Sequence, residues 1–192
     1  VSTNERRIHA IVIAVVLGVE LALGLRASDA HALGLATGGA ALTLLLASLA
    51  CSPIARVTTP EWSVALRSAR RRLGIASAVV AAAHACLALP SYVTPLTLTP
   101  IATLPWLRHG AIALSILAAL AITSFPRLTG VLRVRAWSAL HRLAYVAAIL
   151  GALHALAVPF GSVRIGLLAL AIVAVLLAVR ICLSFVRPRA RD

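Results

Sequence analysis

Six long apolar stretches, joined by short connections, decide what this chain can become. They run over residues 8–25, 32–51, 73–89, 110–124, 137–158 and 165–186. A helix needs roughly 20 apolar residues to cross the ~30 Å hydrocarbon core of a bilayer. Inside lipid, only helices and closed barrels satisfy every backbone polar group. A barrel is excluded because the runs are continuous and alanine-rich, where barrel strands alternate apolar and polar residues. The reading is all-α: a single integral membrane bundle of six transmembrane helices over residues 1–192. Only 12% of the residues are charged, against about a quarter in an ordinary soluble domain, so little is left over for a soluble unit.

The formal net charge of +13 would suggest nucleic acid in a soluble protein. Here all 18 basic residues are arginines that punctuate the apolar segments, so the expected partner surface is membrane lipid and not nucleic acid. Cytoplasmic loops carry the excess of positive charge. With the N-terminus inside, Arg26, Arg108 and Arg164 fall outside, and the other fifteen of the 18 arginines fall inside or at inner helix ends. Both termini are therefore expected in the cytoplasm. The start, Arg6-Arg7, an apolar core and Ala30-His31-Ala32, mimics a cleavable signal peptide. Its apolar run of ~18 residues is long for the usual 7–15, and an uncleaved first helix is expected. Cys51, Cys86 and Cys182 sit in or beside apolar segments with no C-x-x-C, which points to buried small hydrophobes and away from a redox dithiol.

An ionisable residue inside a membrane helix is costly and marks a candidate site. His84 lies in the outer half of the third segment, His154 in the outer part of the fifth, and His141 at the inner end of the fifth. His84 follows Arg72 by 12 residues and His154 follows His141 by 13, distances of about 18 and 20 Å at the helical rise. If Arg72 and His141 both mark the inner interface, the two outer histidines come out level. Two neutral imidazoles in an apolar space suit a low-spin haem iron, which takes two axial nitrogens; the alternative is a hydrogen bond from each to a neighbouring helix. Ser77, Val80, Ala81 and Ala88 share a face with His84, and Ala147 and Gly151 with His154, at the three-, four- and seven-residue spacings of one helix face. Leu87 and Leu150 are the bulkier exceptions.

His141 stands ~140° from His154 around an ideal helix and has no histidine partner, since Arg70 or Arg71 occupies the corresponding place on the third segment. His9, His31 and His109 read as solvated residues at helix ends, and Glu20 as a carboxylate near the outer end of the first segment.

Several local patterns then coincide: Thr37-Gly38 with Ala41-Leu42, Pro53-Ile54-Ala55-Arg56, Arg71-Arg72-Leu73-Gly74 with His84 ten residues on, and Trp137-Ser-Ala-Leu-His141-Arg with Tyr145 and His154. Over about residues 33–158 the chain resembles the ferric-reductase-like transmembrane superfamily. Within it the chain looks most like the haem-binding membrane subunits of bacterial periplasmic methionine sulfoxide reductase systems (the MsrQ or YedZ type). The resemblance implies haem b, one or two per chain, held by His84, His141 and His154 in a bacterial inner membrane protein. It also implies electron relay from quinol or a cytosolic flavin reductase to an extracytoplasmic reductase subunit, and extends to roles for FMN and quinone. Arg71 or Arg72 is then expected beside an inner haem, pairing with a propionate as a bidentate partner.

No loop between six spans is long enough for a nucleotide-binding domain and no G-x-G-x-x-G occurs, so a separate electron donor is expected. Two other functions stay open at this point. One is a stand-alone ferric or metal reductase; the other is a non-redox small transporter or assembly protein packed through alanine and glycine.

Overall fold

A computed structural model describes residues 30–93, 99–125, 134–159 and 163–186 of the chain. Among these residues every regular element is a helix: α1 (Ala30–Val57), α2 (Pro60–Tyr92), α3 (Thr99–Thr103), α4 (Pro105–Ile122), α5 (Val134–Leu140), α6 (Leu143–Ala157) and α7 (Val163–Val186). Among the described residues, five stretches are long and apolar enough to cross a membrane: Ala32–Val57, Pro60–Pro90, Pro105–Ile122, Arg135–Ala157 and Val163–Leu183. The protein is a multi-pass, all-helical membrane protein. The first apolar segment, with Glu20 and His9, lies outside the described residues, as does the C-terminal tail.

Alanine lets these helices approach closely. Leu45 and Leu49 of α1, Ala78 of α2, Leu117 and Leu120 of α4, Tyr145, Ala147 and Ala148 of α6 and Val173 of α7 form one core. All five spanning stretches therefore meet at one place. Two serines tie α1 to α2: Ser77 Oγ donates to the Ala41 carbonyl at 2.8 Å and Ser48 Oγ to the Arg70 carbonyl at 2.9 Å.

The helices overrun the apolar stretches at several ends, and two of these boundaries bear on the packing. The second apolar stretch, read as ending at residue 51, continues as helix: α1 runs on through Pro53 to Val57. Cys51 and Ala55, on either side of that proline, are both buried, and packing against α2 outweighs the lost backbone bond. The polar stretch before the third segment is no connection either, because α2 starts at Pro60, with proline in the first turn, where its missing N–H costs nothing. Ala65, Ala69 and Leu73, four residues apart, bury one face of this polar turn against Leu44 and Cys51 of α1. The resulting helix of 33 residues is about 50 Å long at 1.5 Å per residue, so its arginine-rich start extends beyond a ~30 Å hydrocarbon core.

Candidate functional site

His84 comes from α2 and His154 from α6, and their ring centroids are 5.9 Å apart, inclined at 74°. The level placement expected from counting residues is what the fold produces. Each ring is fixed by a backbone carbonyl of a third and a fourth helix. His84 Nδ1 lies 2.7 Å from the Gly34 oxygen of α1, and His154 Nδ1 lies 2.8 Å from the Trp106 oxygen of α4. A carbonyl oxygen only accepts, so in each hydrogen bond Nδ1 carries the proton. In the neutral imidazole this leaves Nε2 with a bare lone pair. Two such Nε2 atoms cannot hydrogen-bond each other.

Both imidazoles line one cavity of about 650 Å³, within the ~300–1,000 Å³ usual for cofactor and small-molecule sites. Its walls come mainly from α1, α2, α4 and α6, with Ile101 of α3 and Ile165 of α7, and are mostly small or apolar, among them Ala81, Ala85, Ala147 and Gly151. Leu87, one of the bulky exceptions noted from sequence, is 38% exposed and does not line the cavity.

Two glycines are needed for the rings to sit where they do. A Cβ at Gly38 would stand 2.9 Å from His84 Cε1 and 3.0 Å from Nδ1, and a Cβ at Gly110 would stand 2.9 Å from His154 Nδ1. Either side chain would have to displace an imidazole already held by its carbonyl. Trp106 adds its indole beside His154, with centroids 6.1 Å from His154 and 5.2 Å from Tyr92.

Among the described residues no cluster of three or more His, Cys, Asp or Glu is placed to hold a metal ion, so a closed four-ligand zinc site has no donor set there. Two neutral nitrogen donors in an apolar space lined by small residues suit a flat group whose metal centre takes two axial ligands.

A second cluster surrounds His141, at the other end of the α5–α6 span from His154. The helix tightens there: the Arg142 N–H bonds the Ala139 carbonyl and the Tyr145 N–H bonds the Arg142 carbonyl, both at 3.1 Å. These three-residue bonds are 3₁₀ turns, and they separate α5 from α6. The distortion is the condition under which an ideal-helix angle between His141 and His154 ceases to apply. The His141 ring packs against Trp137 with centroids 4.0 Å apart and planes inclined at 47°, and its Nε2 is buried with no hydrogen-bond partner.

Of the three consecutive arginines on α2, Arg71 and Arg72 are exposed, whereas Arg70 is partly buried. Arg70 donates from Nη1 to Ser52 Oγ at 2.7 Å and acts electrostatically on His141, Tyr145 and Arg180. Arg180 of α7 in turn lies over the Tyr145 ring at 5.2 Å. The large cavity does not reach His141.

His109, expected in water at a helix end, is half-buried, and its Nδ1 is shielded without a hydrogen-bond partner. Sequence reading did not find Gly34, Trp106 or Gly110 as site residues. The first two act through backbone carbonyls, which every residue possesses, so nothing local could have marked them.

The profile of the family described as ferric reductase like transmembrane component matches residues 34–152. Three curated bacterial proteins are similar, each named as a protein-methionine-sulfoxide reductase heme-binding subunit MsrQ. The protein from Rhodospirillum rubrum is 35% identical over 156 residues, covering 78% of this chain and 72% of that protein. The protein from Deinococcus radiodurans is 38% identical over 120 residues, covering 62% and 58% respectively. The protein from Ralstonia nicotianae is 33% identical over 121 residues, covering 62% and 54%. The matches thus span little more than half the length of two of these relatives.

Proposed function

Because this chain belongs to the ferric reductase like transmembrane component family, we propose that it is a b-type haem protein that relays electrons across the membrane. The observation that carries the reading is the pair His84 and His154, each with Nδ1–H committed to a carbonyl and Nε2 left as a bare donor in one shared cavity. Haem bound there would supply reversible one-electron exchange at its iron. The protein's own part is to hold both imidazoles in one tautomer, to keep Gly38 and Gly110 clear of them, and to line the cavity with residues that exclude water. A hydrogen bond from the far ring nitrogen also makes a ligating imidazole a stronger donor.

The similar proteins are named as heme-binding subunits of a protein-methionine-sulfoxide reductase, which supports such a reductase as the electron acceptor; in this reading it stands on the extracytoplasmic side. The donor in this reading is quinol or a cytosolic flavin reductase, with FMN as a further cofactor. The test is an absorption spectrum of the purified protein, oxidised and then reduced. A low-spin b-type spectrum that reduces reversibly is expected. A colourless protein after expression with ample haem would return the chain to the non-redox readings, a transporter or an assembly partner.

The direction of relay rests on orientation. The arginine asymmetry supports cytoplasmic termini and a bacterial inner membrane location. A reporter fused after Asp192 should read cytoplasmic and one inserted between α2 and α3 should read external. The opposite pattern would reverse the orientation and the direction of relay.

A further inference from the structure

The carbonyl that holds His84 is shared with a hydroxyl. Thr37 Oγ1 lies 2.9 Å from the Gly34 oxygen and 3.0 Å from the Leu33 oxygen, while His84 Nδ1 lies 2.7 Å from the same Gly34 oxygen. As a mid-helix carbonyl, Gly34 also receives the backbone N–H four residues on. Three donors therefore converge on an oxygen with two lone pairs. Gly34 is where α1 and α2 approach closely, since a Cβ there would stand 3.3 Å from Ala88 Cβ.

Back-bonding hydroxyls recur in this bundle, and most do only that. Thr43 and Thr103 donate to carbonyls four residues earlier and are exposed. Thr37 differs in two respects. It is 6% exposed, and one of its two acceptors is the oxygen that orients His84. The other imidazole has no counterpart: among the described residues, no side-chain donor besides His154 itself is recorded on the Trp106 carbonyl.

We propose that Thr37 is a positioning residue that sets the reduction potential of the outer site, by competing with His84 Nδ1–H for the Gly34 carbonyl. The inference rests on the haem reading above. When the hydroxyl points at Gly34, that oxygen is a poorer acceptor for Nδ1–H, and Nε2 donates less strongly; when it points at Leu33, the reverse holds. Outer-shell hydrogen bonds tune a ligand in this way, and hydrogen bonding is among the protein's levers on haem potential. A weaker donor favours the reduced, less positive iron. Thr37 therefore raises the potential of the outer site, which favours electron flow outward.

The experiment is a redox titration, followed by absorption, of the full chain carrying bound haem. Thr37→Val removes the hydroxyl and keeps the branched shape. Thr37→Ala is measured beside it, so that the result does not depend on how one valine packs. Both should favour the oxidised form by up to about tenfold at a fixed potential, a midpoint lower by up to about 59 mV for a one-electron couple. Thr37→Ser keeps the donor and should titrate as wild type. So should Ser115→Ala, which removes an exposed hydroxyl bonded to Ala111.

Bound haem with an unchanged midpoint in both Thr37→Val and Thr37→Ala overturns the inference and leaves the haem reading standing. An equal shift in Thr37→Ser overturns it too, since the hydroxyl would then not be the cause. A wild-type protein that binds no haem overturns the haem reading itself.

Discussion

His84→Ala and His154→Ala should each abolish the same low-spin component of the spectrum. The two rings line one cavity with centroids 5.9 Å apart, so either substitution removes one of the two nitrogens from a single centre. The loss should exceed the ~10–100-fold fall in metal affinity typical of disturbing only an outer-shell partner. Gly38→Ala provides an intermediate case. Its Cβ would fall 2.9 Å from His84 Cε1, and adding a methyl where there is no room costs about 1–3 kcal/mol. That should lower haem retention roughly tenfold or more without removing a ligand. The measurements are the haem-to-protein ratio and the reduced-minus-oxidised spectrum. Full low-spin spectra in both histidine variants would dissolve the pairing.

At the inner cluster, His141→Ala is expected to lower haem content and stop transmembrane electron transfer while the His84–His154 spectrum survives. A buried ring nitrogen without a partner is costly, and His141 Nε2 is such an atom. The proposal is that it serves a second haem near the cytoplasmic face, 13 residues from His154, or about 20 Å along the helix axis. Transfer across a bilayer is better served by two centres at such a separation than by one.

The arginine beside it distinguishes two arrangements. The expectation from resemblance is Arg71 or Arg72; these are exposed, whereas the Arg70 guanidinium is partly buried, bonded to Ser52 and within electrostatic reach of His141. Arg70→Gln should therefore reduce inner-haem retention more than Arg71→Gln or Arg72→Gln, because a propionate loses its bidentate partner. The opposite ranking would return the role to Arg71 and Arg72. A wild-type ratio near one haem per chain, with unchanged transfer in His141→Ala, would make this a single-haem protein.

Much of this was legible in the sequence, because a membrane simplifies folding to nearly one dimension. Apolar run length predicts spanning helices, and five of the six predicted spans are among the described residues. Helices crossing the same slab share a depth axis, so counting residues at a fixed rise was enough to bring His84 and His154 level. What counting along one helix omits is rotation relative to its neighbours. Arg70, Arg71 and Arg72 differ by ~100° steps, and only the position of α1, with Ser52 and Ser48 facing α2, decided which of them turns inward.

The second stretch continues past Pro53 because burial of Cys51 and Ala55 outweighs a local backbone preference. The tautomer of each imidazole was beyond the sequence for a different reason. It depends on the carbonyls of Gly34 and Trp106, and a carbonyl carries no residue signature until the fold brings it within 3 Å of a ring.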